Sequence, residues 1–142
     1  MDSFTIETSL AACRLLREGE QSTGKQGLHN VGGVSAQSVG ARAIHMQIVT
    51  IPPGGRAHVH MHATHETAIY VLSGAPNVWH GRDLEDHSVM QPGDFFYIPA
   101  DVPHLPYNPS TTETVVAVIA RTDPNEQESV VLLPELERIH PG

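Results

Sequence analysis

The chain has 142 residues, 39% of them hydrophobic and 17% charged, a length that suits one domain with a real core. Lys and Arg total 8 against 16 Asp and Glu, a formal net charge of −8, so there is no basic face for a phosphate backbone and nucleic acid is not expected as a partner. Apolar runs such as 115–120 are too short to span a bilayer, and the N-terminus lacks the basic start and apolar stretch of a secretory signal; no membrane association and a cytoplasmic location are expected.

In chain order, residues 9–18 read as a short helix: Ser9 caps the start, Leu10, Leu15 and Leu16 supply an apolar side, and Gly19 suits the stop. Cys13 is the single cysteine, cannot close an internal disulfide, and reads as a small buried apolar group. Residues 20–27 are polar and contain Gly, as an arm leading into the core would. From 41 to 51 β-branched and long apolar residues alternate with others until Pro52, Pro53, Gly54 and Gly55 end the run, which predicts a strand and a turn. Further strands are predicted over 56–62, 67–72, 76–80, 95–98, 113–121 and 129–133, with Val89 and Met90 leading into a turn at Pro92, Gly93 and Asp94. About eight or nine short strands at such spacing predict an all-β fold, a closed barrel or jelly roll that hides its edges. The Pro-containing tail after Leu133 is expected on the surface or against a partner subunit.

Ten histidines are present, and His58, His60, His62 and His65 fall within one short stretch. In a strand, side chains two and four residues apart share a face, so His58, His60 and His62 are expected to project together, and imidazole is the commonest metal ligand. A solvated surface cluster is the plain alternative.

The stretch 54–74, GGRAHVHMHATHETAIYVLSG, resembles the first motif of the cupins, in which a Gly lies ahead of H-x-H and a Glu and then a Gly follow. The stretch 93–108, GDFFYIPADVPHLPYN, resembles the second, with Gly, Pro, His and Asn in the spacing that family uses. The gap 75–92 is short, as in small single-domain members of the RmlC-like cupin superfamily. The resemblance implies a double-stranded β-helix barrel, here with a short N-terminal helix, occupying 1–142 as one cupin domain: an N-terminal arm over 1–30, the barrel core over 31–122 and a C-terminal extension over 123–142. It further implies one divalent transition metal inside the barrel on His60, His62 and His104. The fourth ligand departs from the pattern. Counted forward from His62 the family's Glu falls on Glu66; counted back from Gly74 it falls on Thr67, a poor ligand. A local bulge would bring Glu66 inward, and that ligand is favoured here; a site of three histidines, or one completed by His58 or His65, is the alternative.

Imidazole and carboxylate donors without thiolate suit Fe, Mn, Ni, Zn, Co or Cu, and affinity order alone does not choose among them. Such a site leaves positions for a small-molecule substrate with oxygen donors. The expected activity is therefore that of a metal-dependent enzyme on a small oxygenated metabolite, with an Fe(II)-type dioxygenase ahead of a sugar or sugar-phosphate isomerase, epimerase or lyase, and a non-catalytic small-molecule- or metal-binding cupin as the third reading. Tyr70, Tyr97 and Tyr107 are candidate catalytic bases, and Arg42, His45, Gln47 and Arg121 candidate substrate contacts on the pocket wall. Asn108 is expected to order the loop after His104. Family analogy implies a homodimer that exchanges an arm or tail.

Overall fold

A computed structural model describes residues 11–17, 19 and 21–142. Along it run β1 (Gln21–Thr23), β2 (His29–Val34), the short helix α1 (Ala36–Val39), β3 (His45–Ile51), β4 (His60–His62), β5 (Thr67–Ser73), β6 (Asn77–His80), β7 (Asp86–Val89), β8 (Phe95–Ile98), β9 (His104–Tyr107), β10 (Val115–Arg121) and β11 (Val130–Leu132), followed by a 3-10 turn at Pro134–Leu136. The strands form two sheets, one of six in the order β1-β2-β3-β10-β5-β8 and one of five in the order β11-β4-β9-β6-β7. Every pairing is antiparallel. The architecture is the all-β jelly-roll barrel that the strand spacing predicts. Among the described residues no helix is long and apolar enough to cross a membrane.

Alternation decides what each strand contributes. On β3, His45, Gln47, Val49 and Ile51 are buried, and on β10, Val115, Ala117 and Arg121 are. Leu28, Val49, Ile51, Ala57, Val115 and Ala117 close one end of the interior as an apolar cluster. The other face of the large sheet leaves Met46, Tyr70, Leu72, Phe95 and Tyr97 to solvent. The C-terminal tail packs on its own barrel, where Leu133, Leu136 and Ile139 rest against Val59, Leu84 and Leu105.

Several boundaries differ from expectation. Residues 11–17 form no helix, and Ser9, Leu10 and Glu18 lie outside the described residues. Leu15 is 73% exposed, so its apolar side has nothing to bury against, and a segment this short does not hold a helix on propensity alone. Cys13 is likewise exposed rather than buried. Strands β1, β2, β7 and β9 were not legible: β2 carries Gly32 and Gly33, and β9 carries Pro106, residues that mark turns more often than ladders, and β7 is mostly polar. Of the expected strand at 56–62 only His60–His62 is regular, with Arg56 in an isolated bridge to Tyr107.

Two turns show why the repeated glycines stand where they do. Gly74 ends β5 at φ 79°, and a Cβ there would lie 2.8 Å from the Thr114 carbonyl oxygen. Gly93, at φ 94°, turns the chain into β8. Asn108 fastens the loop beside the Gly74 turn. Its buried amide donates toward the carbonyls of Ile51, Pro52 and Glu113 at 3.0, 3.2 and 2.7 Å and accepts from the Ser110 N–H at 3.1 Å. Because truncation strands buried carbonyls, Asn108→Ala is expected to cost about 2–3 kcal/mol in urea denaturation while leaving metal affinity unchanged. A midpoint equal to that of the wild type would show that the loop holds without it.

Candidate metal centre

Two short strands of the smaller sheet position the imidazoles. His60 and His62 sit two apart on β4 and face inward; His104 opens β9 and pairs with His60 across the ladder. All three are buried, with ring centroids 4.2 Å apart for His60 and His104, 4.6 Å for His62 and His104, and 5.2 Å for His60 and His62. One ligand atom from each lies within 4.8 Å of the others.

The hydrogen bonds say which atoms these are. His60 Nδ1–H donates to the His58 carbonyl at 2.6 Å, and His104 Nδ1–H donates to the Val102 carbonyl at 2.9 Å. A carbonyl can only accept, so in each neutral ring Nε2 carries the lone pair. His62 Nδ1 faces the Thr67 hydroxyl at 3.1 Å, leaving its Nε2 directed the same way. Outer oxygens that hold Nδ1 and free Nε2 are the arrangement that orients metal-binding histidines. Burial keeps the rings neutral. It pushes His60 down to about 3, the nearby His62 and His58 adding to the effect, and His62 down to about 2, with His104, His65 and Arg121 adding to it. His104 is driven well below the usual imidazole value, again by burial first and then by His60. Neutral imidazoles with converging lone pairs fit a divalent transition metal.

The other expected residues do not join them. His58 is exposed, with its side chain 67% accessible, and lies 3.9 Å from the Glu137 carboxylate on the outside of the barrel. The irregular backbone at 57–59 breaks the alternation that would have aligned it with His60. Glu66 is not brought to the cluster either: it is exposed, and it accepts a 2.7 Å hydrogen bond from the Tyr97 hydroxyl. The reason lies in the connection between β4 and β5, where Thr64 takes φ 68°, a strained conformation for a β-branched residue, and the chain re-enters the sheet with Thr67 inward. Thr67 then orients His62 instead of ligating.

The three tyrosines are also outside. Tyr70 pairs with Phe95, and Ala68 with Tyr97, on the outer side of β5 and β8, whereas Thr67, Ile69, Phe96 and Ile98 face the interior. Tyr107, three residues from His104, turns the opposite way; its hydroxyl accepts a hydrogen bond from Asn77 Nδ2 at 3.3 Å and shares one with His87 Nε2 at 2.8 Å. Arg42 is exposed. His45 is buried behind the cavity wall, its Nε2 2.9 Å from Gln47 Oε1, and burial lowers its pKa. Of the four expected wall contacts only Gln47 lines the cavity. Arg121 spends its guanidinium on the carbonyls of Asp123, Asn125 and Glu126 and on the Glu128 carboxylate, 3.4 Å away.

The imidazoles open into a cleft that runs between the two sheets. Its wall is mainly apolar, including Val49, Ile69, Val78, Met90 and Phe96. Three polar residues of the wall had no sequence signal: Gln26, Asn30 and Glu128. Gln26 Oε1 and Asn30 Oδ1 are buried without a hydrogen-bond partner among the described residues.

A family model described as Cupin domain matches residues 47–120, just over half of the chain and the span that carries all three histidines. The chain is a cupin. Among solved structures this cupin is similar to a protein from Acidithiobacillus ferrooxidans described as a sugar phosphate isomerase, with 27% identity over 75% of this chain and 68% of that one and a TM-score of 0.59. It is similar in fold to Bacillus subtilis oxalate decarboxylase, a protein with Mn(II) centres, at 22% identity and TM-score 0.66 over 82% of this chain; the cupin spans only 30% of that longer chain. It is similar in fold also to KdgF from Halomonas sp., at 17% identity and TM-score 0.59 over 75% of this chain and 89% of that one. Among curated proteins no sequence match was found.

Proposed function

We propose that this cupin is a metal-dependent enzyme that holds one divalent transition metal on His60, His62 and His104 and acts on a small oxygenated metabolite with a largely apolar body, dioxygenase chemistry leading. The observation that carries the reading is the convergence of three neutral imidazoles, each with Nδ1 occupied and Nε2 turned into one apolar cleft. Such an ion supplies a Lewis-acid or one-electron centre with positions left for oxygen donors. The chain does the rest: Ile69, Val78, Met90 and Phe96 exclude water from the substrate body, and Gln26, Asn30 and Gln47 offer amide groups to its polar atoms.

An isomerase reading rests on the 27% identity to the protein described as a sugar phosphate isomerase and on those amides, which suit sugar hydroxyls. The wall argues against a phosphorylated sugar, because among its described residues there is no Lys or Arg to meet a phosphate. Iron-loaded protein is expected to consume oxygen with at least one member of a panel of diketones, catechols and thiols. Solvent deuterium entering an unphosphorylated sugar without oxygen would instead favour the isomerase. If neither occurs and small-molecule binding survives metal removal, the protein is a binding module.

A further inference from the structure

We infer that Glu128 supplies the carboxylate of the metal centre, taking from the far end of the chain the place that β5 leaves to a threonine; the inference rests on the histidine site proposed above. The inward position of β5 carries Thr67, whose hydroxyl is engaged with His62 Nδ1, and Glu66 points out toward Tyr97. No acid reaches the imidazoles from that strand.

Glu128 approaches His62 from the other side, and one ligand atom from each of His62, His65 and Glu128 lies within 4.8 Å of the others. Strand β11 pairs with β4 in a register that sets Val130 opposite His62, and the Ala63 N–H donates to the Ser129 carbonyl at 2.9 Å. That pairing carries the residue ahead of β11 to the cavity wall, where Glu128 is 8% exposed. Its Oε2 lies 4.0 Å from His62 Nε2, the atom with the free lone pair. Donors held about 2.1 Å from a single ion in octahedral geometry lie roughly 3 Å apart when adjacent and about 4 Å apart when opposite, so this separation is compatible with one shared ion.

The carboxylate is also held as a ligand is held. His65 Nε2 lies 2.8 Å from Oε2 and Arg121 Nε 3.4 Å from the same oxygen, while the His65 ring stacks on His62 with centroids 4.9 Å apart. Among the described residues no hydrogen bond is made to Oε1. Oε2, the oxygen that faces His62 Nε2, is thus held in place by outer groups, the means by which outer partners orient a coordinating carboxylate. Arg121 and His65 thus become positioning residues for the site. A role confined to neutralising the buried Arg121 would place Glu128 in the same spot, but it would leave the electronic surroundings of a bound ion untouched.

Cobalt(II) distinguishes these roles, because its visible absorption reports the donor set directly and independently of turnover. The full chain, Glu128→Gln, Glu128→Asp and Glu66→Gln are titrated with cobalt(II) in competition with a chelator, and folding is followed by circular dichroism. The expected result is one cobalt per chain for the wild type and for Glu66→Gln with the same spectrum. Glu128→Gln should bind at least about 10-fold more weakly with shifted bands. Glu128→Asp, which keeps a negative charge before Arg121 but withdraws the oxygen by one methylene, should shift the bands as well, and it carries the test alone if the Gln variant does not fold. Wild-type affinity and an unshifted spectrum in a folded Glu128 variant overturn the inference and leave the histidine site standing. A wild type that takes up no cobalt overturns the histidine site, and the inference with it.

Discussion

Replacing His104 with alanine is expected to weaken divalent-metal binding by more than about 100-fold, beyond the 10–100-fold that loss of an outer partner costs. His104 is the donor that joins the two strands: His60 and His62 come from β4 alone, and without the ring of β9 the ion keeps imidazole donors from a single strand. Removing an imidazole that is already neutral leaves no uncompensated charge, so the variant should remain folded. Isothermal titration with zinc or cobalt checks this, with His58→Ala as the companion variant expected to bind as the wild type does, since its ring lies outside the barrel. Equal affinities for His104→Ala and the wild type would remove the basis for a shared site.

The metal-free protein is expected to lose stability steeply as pH falls from about 6.5 toward 4. In the unfolded chain the three imidazoles take up protons around their ordinary value of 6.5, whereas in the fold burial holds His60 at about 3, His62 at about 2 and His104 well below 6.5. Between those limits the unfolded state binds more protons than the folded one, so stability rises with pH through the window and is fully present above 6.5. Each ring contributes about 1 kcal/mol per pH unit, and three together amount to several kcal/mol across two units, comparable with the whole stability of a domain this size. Urea denaturation of chelator-treated protein at pH 7.5, 6, 5 and 4 measures it. A flat profile would mean that the rings are protonated in the fold. The same neutrality predicts that metal affinity, unlike that of free imidazole, changes little between pH 8 and 5, because the folded site has few protons to release.

Much of the barrel could be read locally. The strands at 67–72 and 95–98 emerge within a residue or two of their structural limits, because β-branched and aromatic residues bounded by Gly and Pro report a pleated ladder wherever it lies. Strand β2 was hidden for the complementary reason. Its residues Asn30, Gly32 and Gly33 carry no local preference for a strand, and it is held by its neighbours, pairing with β1 on one side and β3 on the other. Residues 11–17 of the helix expected over 9–18 are not helical, and Leu15 there is exposed.

By itself the sequence determined the donor types, the two-residue spacing of His60 and His62 and the turn glycines, because these depend on chemistry and alternation within a few residues. Only the tertiary structure decided which face each neighbour takes. The positive φ at Thr64 resets the phase of β5 so that Thr67 enters the barrel and Glu66 leaves it, and a shift of one residue exchanges inside for outside. It alone also brought Glu128 to within 4.0 Å of His62, since the meeting depends on the antiparallel pairing of β4 with β11 across a long stretch of chain, which no local pattern encodes.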